Sequence, residues 1–253
     1  MTQPTTPRPT PPNQATSAPA FIVRVTDQNE RTRGTGFVVG PHLAVTCVHV
    51  VTACGAEPRD TLRLISQDGQ SLKATVLKNG WHPNADVAFL HLATPFPDQA
   101  TLTPAAGREG VPFRAFGYPP MGGLFGQAQL VGHVSINEQP RLQISSSQIT
   151  VGFSGAPLWE VMSDQVIGML TEIIATDPYG KLGDVALALS SEQLHALRPK
   201  AVPLQPTEIG GDVLRRLLVS GAPEQSFSGP YKSLLFDYIH PWEVLDKIDL
   251  SQF

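Results

Sequence analysis

The chain of 253 residues is poor in cysteine, with only Cys47 and Cys54. Two cysteines cannot staple a small secreted fold, so a reduced, cytoplasmic setting is the expectation, with a single Cys47–Cys54 bridge as the alternative. The sequence also lacks any apolar run near the roughly 18 to 20 residues that span a bilayer, and no membrane partner is expected. Basic excess is absent: 18 Lys and Arg stand against 22 Asp and Glu, a formal charge of −4. That balance removes the electrostatic footprint of a nucleic-acid binder. The first 19 residues, MTQPTTPRPTPPNQATSAP, hold six prolines and five threonines. They contain no aliphatic stretch that would form the core of an export signal, and read as a disordered, partly polyproline tail.

What is present is enough apolar residue, 41% of the chain, to bury one sizeable core with a small appendage. Short apolar and β-branched runs recur between turn residues: 20-AFIVRVT-26, 36-GFVVG-40, 42-HLAVTCV-48, 62-LRLI-65, 72-LKATVLK-78, 86-DVAFLHL-92, 112-PFRAFGY-118, 128-AQLVGHVSI-136, 141-RLQISS-146, 165-QVIGMLTEII-174 and 185-VALAL-189. Short strands at this spacing predict an all-β sandwich or barrel. Helical periodicity enters late, in 191-SEQLHALR-198, with Ser190 or Ser191 as N-cap, and in 209-IGGDVLRRLLVSG-221. A boundary falls at residues 199–208, where three prolines interrupt both patterns. Residues 209–253 add a helix and an aromatic-rich run (Phe227, Tyr231, Phe236, Tyr238, Trp242, Phe253). They are too few to hold a core alone and are expected to dock on the β domain or on a partner.

The stretch 151-VGFSGAPLW-159 sets a serine between glycines. A serine nucleophile needs a base within hydrogen-bond reach and an acid behind the base. Of seven histidines, His49 has the best context, at the end of the apolar run 43-LAVTCVHVV-51. His82 lies in a polar turn, His91 alternates within a strand and reads as structural, and His42, His133, His195 and His240 have no useful acid or glycine context. Asp86 opens 86-DVAFLHL-92 directly after a turn, at the rim of a core. Each also has a bland reading: Asp86 as a turn cap, His49 as a core histidine, Ser154 as part of a tight turn. Cys47, His49 and Cys54 raise a metal site, but C-x-H-x4-C matches no usual zinc arrangement and has no evident fourth ligand, so neither metal nor other cofactor is expected.

Taken together in this order, the segments resemble a trypsin-like serine protease, closest in style to the bacterial HtrA/Deg branch. The segment 34-GTGFVVGPHLAVTCVHVV-51 resembles the family's opening through its Thr-x-x-His motif, and 86-DVAFLHL-92 its Asp-hydrophobic-Ala-hydrophobic-Leu motif. The segment 115-AFGYPPMGGLFGQAQLVGHVSI-136 resembles the start of the second barrel, and 151-VGFSGAP-157 the nucleophile motif. The segments 165-QVIGMLTEI-173 and 187-LALSSEQL-194 resemble the family's last two strands and final helix. The resemblance covers residues 20–198 and implies two six-stranded antiparallel β-barrels, a C-terminal helix and, in residues 199–253, a linker and a helical, aromatic appendage. It implies acyl transfer by Ser154, with His49 as base, Asp86 as orienting acid, and the N–H groups of Gly152 and Ser154 as oxyanion hole. A glycine suits position 152 because it adopts backbone angles other residues avoid.

The resemblance also has departures. Where many trypsins carry an aspartate that pairs with a newly cut N-terminus, this chain has Phe153, so activation by N-terminal cleavage is not expected and control should be conformational. Residues 199–253 are too short for a PDZ domain. The implied picture is an intracellular bacterial endopeptidase that processes a protein or peptide substrate, with an activating or sensor protein acting through 199–253, in a defence or signalling system. The alternative is a pseudoprotease serving as a binding or sensor module. Gln148, Thr171, Glu172 and Ile173 fall where the family lines its substrate pocket, which points to a small or medium apolar P1 residue; Asp184 would overturn this if it reached the pocket base.

Overall fold

In a computed structural model of the protein, the structure describes residues 18–102, 112–136, 138–160, 165–176, 178–179 and 182–200. The expected helix at 209–221, the aromatic run, the linker beyond residue 200 and His240 lie outside the described residues. Six strands form the first barrel: β1 (Ile22–Thr26), β2 (Thr32–Gly40), β3 (Leu43–Thr46), β4 (Thr61–Ile65), β5 (Ser71–His82) and β6 (Val87–Leu92). Their order is β1-β2-β3-β6-β5-β4, and β1 closes the ring on β4 through pairs such as Arg24 with Ile65. Six more form the second: β7 (Pro112–Gly117), β8 (Leu124–Ile136), β9 (Gln139–Ser145), β10 (Pro157–Glu160), β11 (Gln165–Ile173) and β12 (Val185–Ser190). Here β10 closes on β7, Trp159 opposite Arg114. All strand pairs in both barrels are antiparallel. Among the described residues no helix is long and apolar enough to cross a membrane.

The sequence patterns account for these strands in two ways. β8 alternates buried and exposed positions along its first half, as a strand does when one face is wet. β6, VAFLHL, is buried at every position, which is why its run is apolar except for His91. One strand escapes the sequence reading: β10 is only four residues long and starts on Pro157.

A second difference concerns the base. The apolar run through residue 51 predicts strand, but β3 stops at Thr46 and the chain turns at Cys47 into a short helix, α1 (Val48–Ala53). Thr46 pairs with Ala88 in the last rung of the ladder. Beyond it a carboxylate replaces the strand partner, for the His49 N–H donates to Asp86 Oδ1 at 3.0 Å. β-Branched residues favour strand, yet Val50 and Val51 are buried in this helical turn, and that burial outweighs a propensity difference of under about 1 kcal/mol per residue. Gly55, with φ of +74°, ends the helix. Its N–H donates to Thr52 O at 2.9 Å and that of Ala56 to Val51 O at 3.3 Å, the paired bonds of a glycine-terminated helix. The C-terminal helix α2 (Ser191–Leu197) matches expectation, and Ser190 is its N-cap, in a reciprocal capping box with Gln193.

The two barrels are tied through Thr35, a buried residue of β2. Its N–H donates to Ser154 O at 2.9 Å, and its hydroxyl donates to Gly152 O at 2.7 Å while accepting from the Tyr118 N–H at 3.1 Å. Its carbonyl accepts from Thr46 Oγ1 at 2.6 Å. From the other side, Phe153 is fully buried in the second-barrel core. Its ring lies on Gly117, where an added Cβ would fall 2.5 Å from ring carbon Cγ.

Both contacts should be measurable in stability. Thr35→Val removes both hydroxyl bonds and should lower unfolding free energy by about 1–3 kcal/mol, the cost of leaving a buried polar partner unsatisfied, read as a lower urea midpoint; an unchanged midpoint would show the hydroxyl does not hold the turn. Gly117→Ala should lose about 1–3 kcal/mol by overpacking, with Phe153→Leu in the same chain recovering part of the loss.

Candidate active site

The Ser154 segment is two consecutive turns. Phe153 N–H donates to Thr150 O at 3.1 Å and Ala156 N–H to Phe153 O at 2.8 Å. Gly152, with φ of +99°, and Gly155, with φ of +83°, each stand third in their turn, the position where a type II turn demands positive φ. Neither turn's own bond uses the N–H of Gly152 or of Ser154, so both remain available to another acceptor. A side chain at 152 would also meet the Tyr118 carbonyl at 2.5 Å, and one at 155 would overlap the Thr35 carbonyl. The Gly155 N–H donates to Leu170 O at 2.8 Å, fastening the end of the turn to β11.

His49 and Asp86, the expected base and acid, come from the first barrel. A single 3-10 turn, Pro83–Ala85, ends at Asp86, which adopts a left-handed backbone with φ of +58°. Aspartate is among the few side chains that enter this region readily. From there its carboxylate grips His49 twice, accepting from the backbone N–H at Oδ1 and bonding ring Nδ1 at Oδ2, 2.7 Å away. With Nδ1 on the carboxylate, Nε2 is left as the proton-accepting nitrogen. His49 is half exposed and Asp86 a quarter exposed, so the pair lies at the mouth of the interface rather than inside a core. The hydrogen bond from Asp86 raises the His49 pKa above the ordinary histidine value, burial opposes it, and the charges of Asp86 and Glu172 add to the rise.

The other sequence candidates occupy varied surroundings. Glu172 is exposed on β11 and acts on His49 through its charge. Thr171 is buried, its hydroxyl donating to Leu187 O of β12 at 3.2 Å. Ile173 is half-buried against the second-barrel core. Gln148 is exposed and accepts the Gln127 N–H at 2.8 Å. Asp184 is exposed, and its carbonyl accepts the Ser146 N–H at 2.8 Å. His82 Nε2 bonds Leu197 O at 3.0 Å, at the end of α2, and His91 is buried and stacked on His42.

Cys47 and Cys54 are both free thiols, which removes the bridge alternative. Among the described residues, Cys47, His49 and Asp86 offer a sulfur, a nitrogen and an oxygen within 4.8 Å of one another. This donor set does not suit a metal ion. The nitrogen and oxygen are bonded to each other, and the sulfur is buried with its thiol donating to Leu170 O. Cys54 is outside the group; burial pushes its thiol up to about 11.

Two residues of this region, Thr35 and Arg141, go unread in the sequence, and Cys47 is read there only as a possible metal ligand or bridge partner. Thr35 is signalled only by its flanking glycines, 34-GTG-36: a Cβ at Gly34 would meet Val50 at 2.7 Å and one at Gly36 the Val45 carbonyl at 2.9 Å. Arg141, on β9, donates from Nη2 to Ala85 O at 3.4 Å, bringing a positive charge beside Asp86. Cys47, in the Thr-x-x-His segment, donates its thiol to Leu170 O at 3.4 Å.

Comparison with known proteins agrees with this geometry. The chain matches the trypsin-like peptidase domain over residues 34–169. Among solved structures it is similar to the Rv3671c protease from M. tuberculosis. The active form is 20% identical, with a TM-score of 0.58 over 78% of this chain and 92% of that one. An inactive form carrying a serine-to-alanine mutation is 21% identical, with a TM-score of 0.58 over 70% and 84%. At that identity the likeness speaks for the fold. No curated protein matches the chain. A double antiparallel barrel, a carboxylate-held histidine at its interface and a family match spanning more than half of the sequence lead to one assignment: the chain belongs to the family of trypsin-like peptidases.

Proposed function

We propose that the protein is a serine endopeptidase in which Ser154 attacks the peptide carbonyl, His49 takes the proton and returns it to the leaving amine, and Asp86 orients His49 and stabilises its charged form. The observation that carries this reading is the double grip of Asp86 on His49 beside a serine turn bound to the same barrel through Thr35. The N–H groups of Gly152 and Ser154 receive the developing oxyanion, at about 3 kcal/mol or more per donor. The deacylating water is activated by the same base. Buried Phe153 anchors the turn by packing where an ion pair would otherwise be needed, which supports control by conformation or by a partner at residues 199–253 rather than by a cut N-terminus. A cytoplasmic, bacterial setting and a protein substrate processed for defence or signalling belong to the same proposal; they rest on the composition and the resemblance.

A fluorophosphonate probe tests the chemistry. It should label the purified chain, and Ser154→Ala should abolish labelling. Asp86→Asn should slow it about 10⁴-fold through loss of the correct tautomer. No labelling of the intact chain, with or without candidate partners, would leave the barrel as a binding module, and labelling that survives Ser154→Ala would mean that a different nucleophile reacts and would overturn the assignment to Ser154. The pH profile of labelling is a separate check. His49 must be neutral to act as base, so the rate falls as pH drops through its pKa. Because Asp86 and Glu172 raise that pKa, the acid limb should lie above the ordinary histidine range and move to lower pH in Glu172→Gln; a limb that stays put would remove Glu172 from the electrostatics of the site.

A further inference from the structure

Asp86 holds His49 by two bonds to one residue. Those bonds fix the acid relative to the base, yet they fix neither relative to the second barrel, where Ser154 sits. A carboxylate has about four lone-pair sites, and His49 occupies two. What else touches the acid therefore decides whether the pair is aimed at the serine.

Cys47 is placed to do this. It is fully buried and is the N-cap residue of α1, just before His49 in the chain. Its Sγ lies within 4.8 Å of a His49 ring nitrogen and an Asp86 oxygen, and 3.4 Å from Leu170 O. That same carbonyl accepts the N–H of Gly155, the residue after Ser154. One carbonyl of β11 thus receives the end of the nucleophile turn from one side and the residue that starts the base helix from the other. The neighbouring hydroxyl on β11 cannot substitute, since Thr171 donates to Leu187 O. On the acid's other flank, Arg141 reaches Ala85 O.

Resting on the serine-peptidase reading above, we propose that Cys47 is a positioning residue of the triad: its thiol, sealed between the Leu170 carbonyl and the Asp86 carboxylate, holds the acid and thereby registers His49 against the turn that carries Ser154. The thiol acts as a neutral donor. Burial, with the adjacent Asp86, keeps it protonated, and a thiolate there would repel the acid. A single S–H shared between two acceptors is a weak donor, but both acceptors lie where water does not reach the sulfur. Truncation would leave them with one donor fewer in a region of low dielectric, and an Asp86 carboxylate less stabilised by hydrogen bonding would bind the His49 imidazolium more strongly. Among the described residues, the charges acting on His49 are those of Asp86 and Glu172; Cys47 lies within 4.8 Å of the pair, and Arg141 acts on Asp86.

The test uses Cys47→Ala and Cys47→Ser, each in the full chain and again with Ser154→Ala. In the Ser154→Ala background, titration of His49 by NMR needs no catalysis. Cys47→Ala should raise the His49 pKa relative to its parent, while Cys47→Ser, which keeps a donor, should leave it near the parent value. In the active chain, fluorophosphonate labelling should slow about ten- to a hundredfold in Cys47→Ala, the range expected on losing a hydrogen bond to a charged group, and stay within a few fold in Cys47→Ser. A melting temperature lowered equally in both variants with labelling and His49 titration unchanged means that Cys47 only packs, and overturns the proposal; so does Cys47→Ser losing as much labelling as Cys47→Ala. Should the intact chain fail to label while the His49 titration still responds as stated, the catalytic reading falls and the positioning of the His49–Asp86 pair by Cys47 stands.

Discussion

Two separately closed barrels have no intrinsic reason to keep a histidine on one within reach of a serine on the other. The constraint on which the site depends is the set of bonds that Thr35 makes across that gap. One buried residue of β2 takes the carbonyls of Gly152 and Ser154 with its own hydroxyl and N–H, and its carbonyl holds Thr46, the last residue before the chain bends toward His49. The Ser154 turn and the strand that leads to His49 are therefore registered on the same side chain and the same peptide. Glycines at 34 and 36 make the approach sterically open, since a Cβ at either would strike a neighbour.

Around that knot, the two halves of the site are stiffened by different means. In the second barrel the stiffening is packing: Phe153 fills the core beneath Ser154, and Gly117 and Gly126 leave room for its ring. In the first barrel it is polar. Asp86 is in a left-handed conformation that turns its carboxylate back on α1, where it replaces the strand partner His49 has lost and anchors the ring. Packing makes the serine turn insensitive to charge, whereas His49 lies in a field set by Asp86 and Glu172, with Arg141 beside the aspartate. Conformational control, if exerted on the turn, would have to work against a buried aromatic anchor rather than make or break an ion pair.

Much of this architecture is legible locally. Strand spacing identifies the all-β class and eleven of the strands but not β10, whose four residues and leading proline give no periodicity to read; the division into two six-stranded barrels came from the resemblance. Positive-φ positions at Gly152 and Gly155 are written as glycines, and the capping box at Ser190 as Ser-x-x-Gln. The base helix is misread because its valines favour a strand, although Gly55 marks where a helix must end. The pocket candidates divide for a related reason. The register of β11 with β12 shifts between Leu170 and Glu172, at Thr171, whose buried hydroxyl bonds Leu187 while Glu172 is exposed.

The sequence by itself determined most of the strands and the chemical types at the site: a serine in a double glycine turn, a histidine after Thr-x-x, an aspartate before a buried strand. These derive from rules that act over a few residues, such as strand alternation, turn conformations that only glycine accepts, and helix caps. Only the tertiary structure decided that Thr35 ties the barrels, that Cys47 meets Leu170 across 123 residues of chain and that Arg141 reaches the Ala85 carbonyl, next to the aspartate, across 56. Such contacts are selected by the closure of two barrels against each other, a condition with no period in the sequence, and each is carried by a single side chain whose partner is fixed only when both barrels have formed.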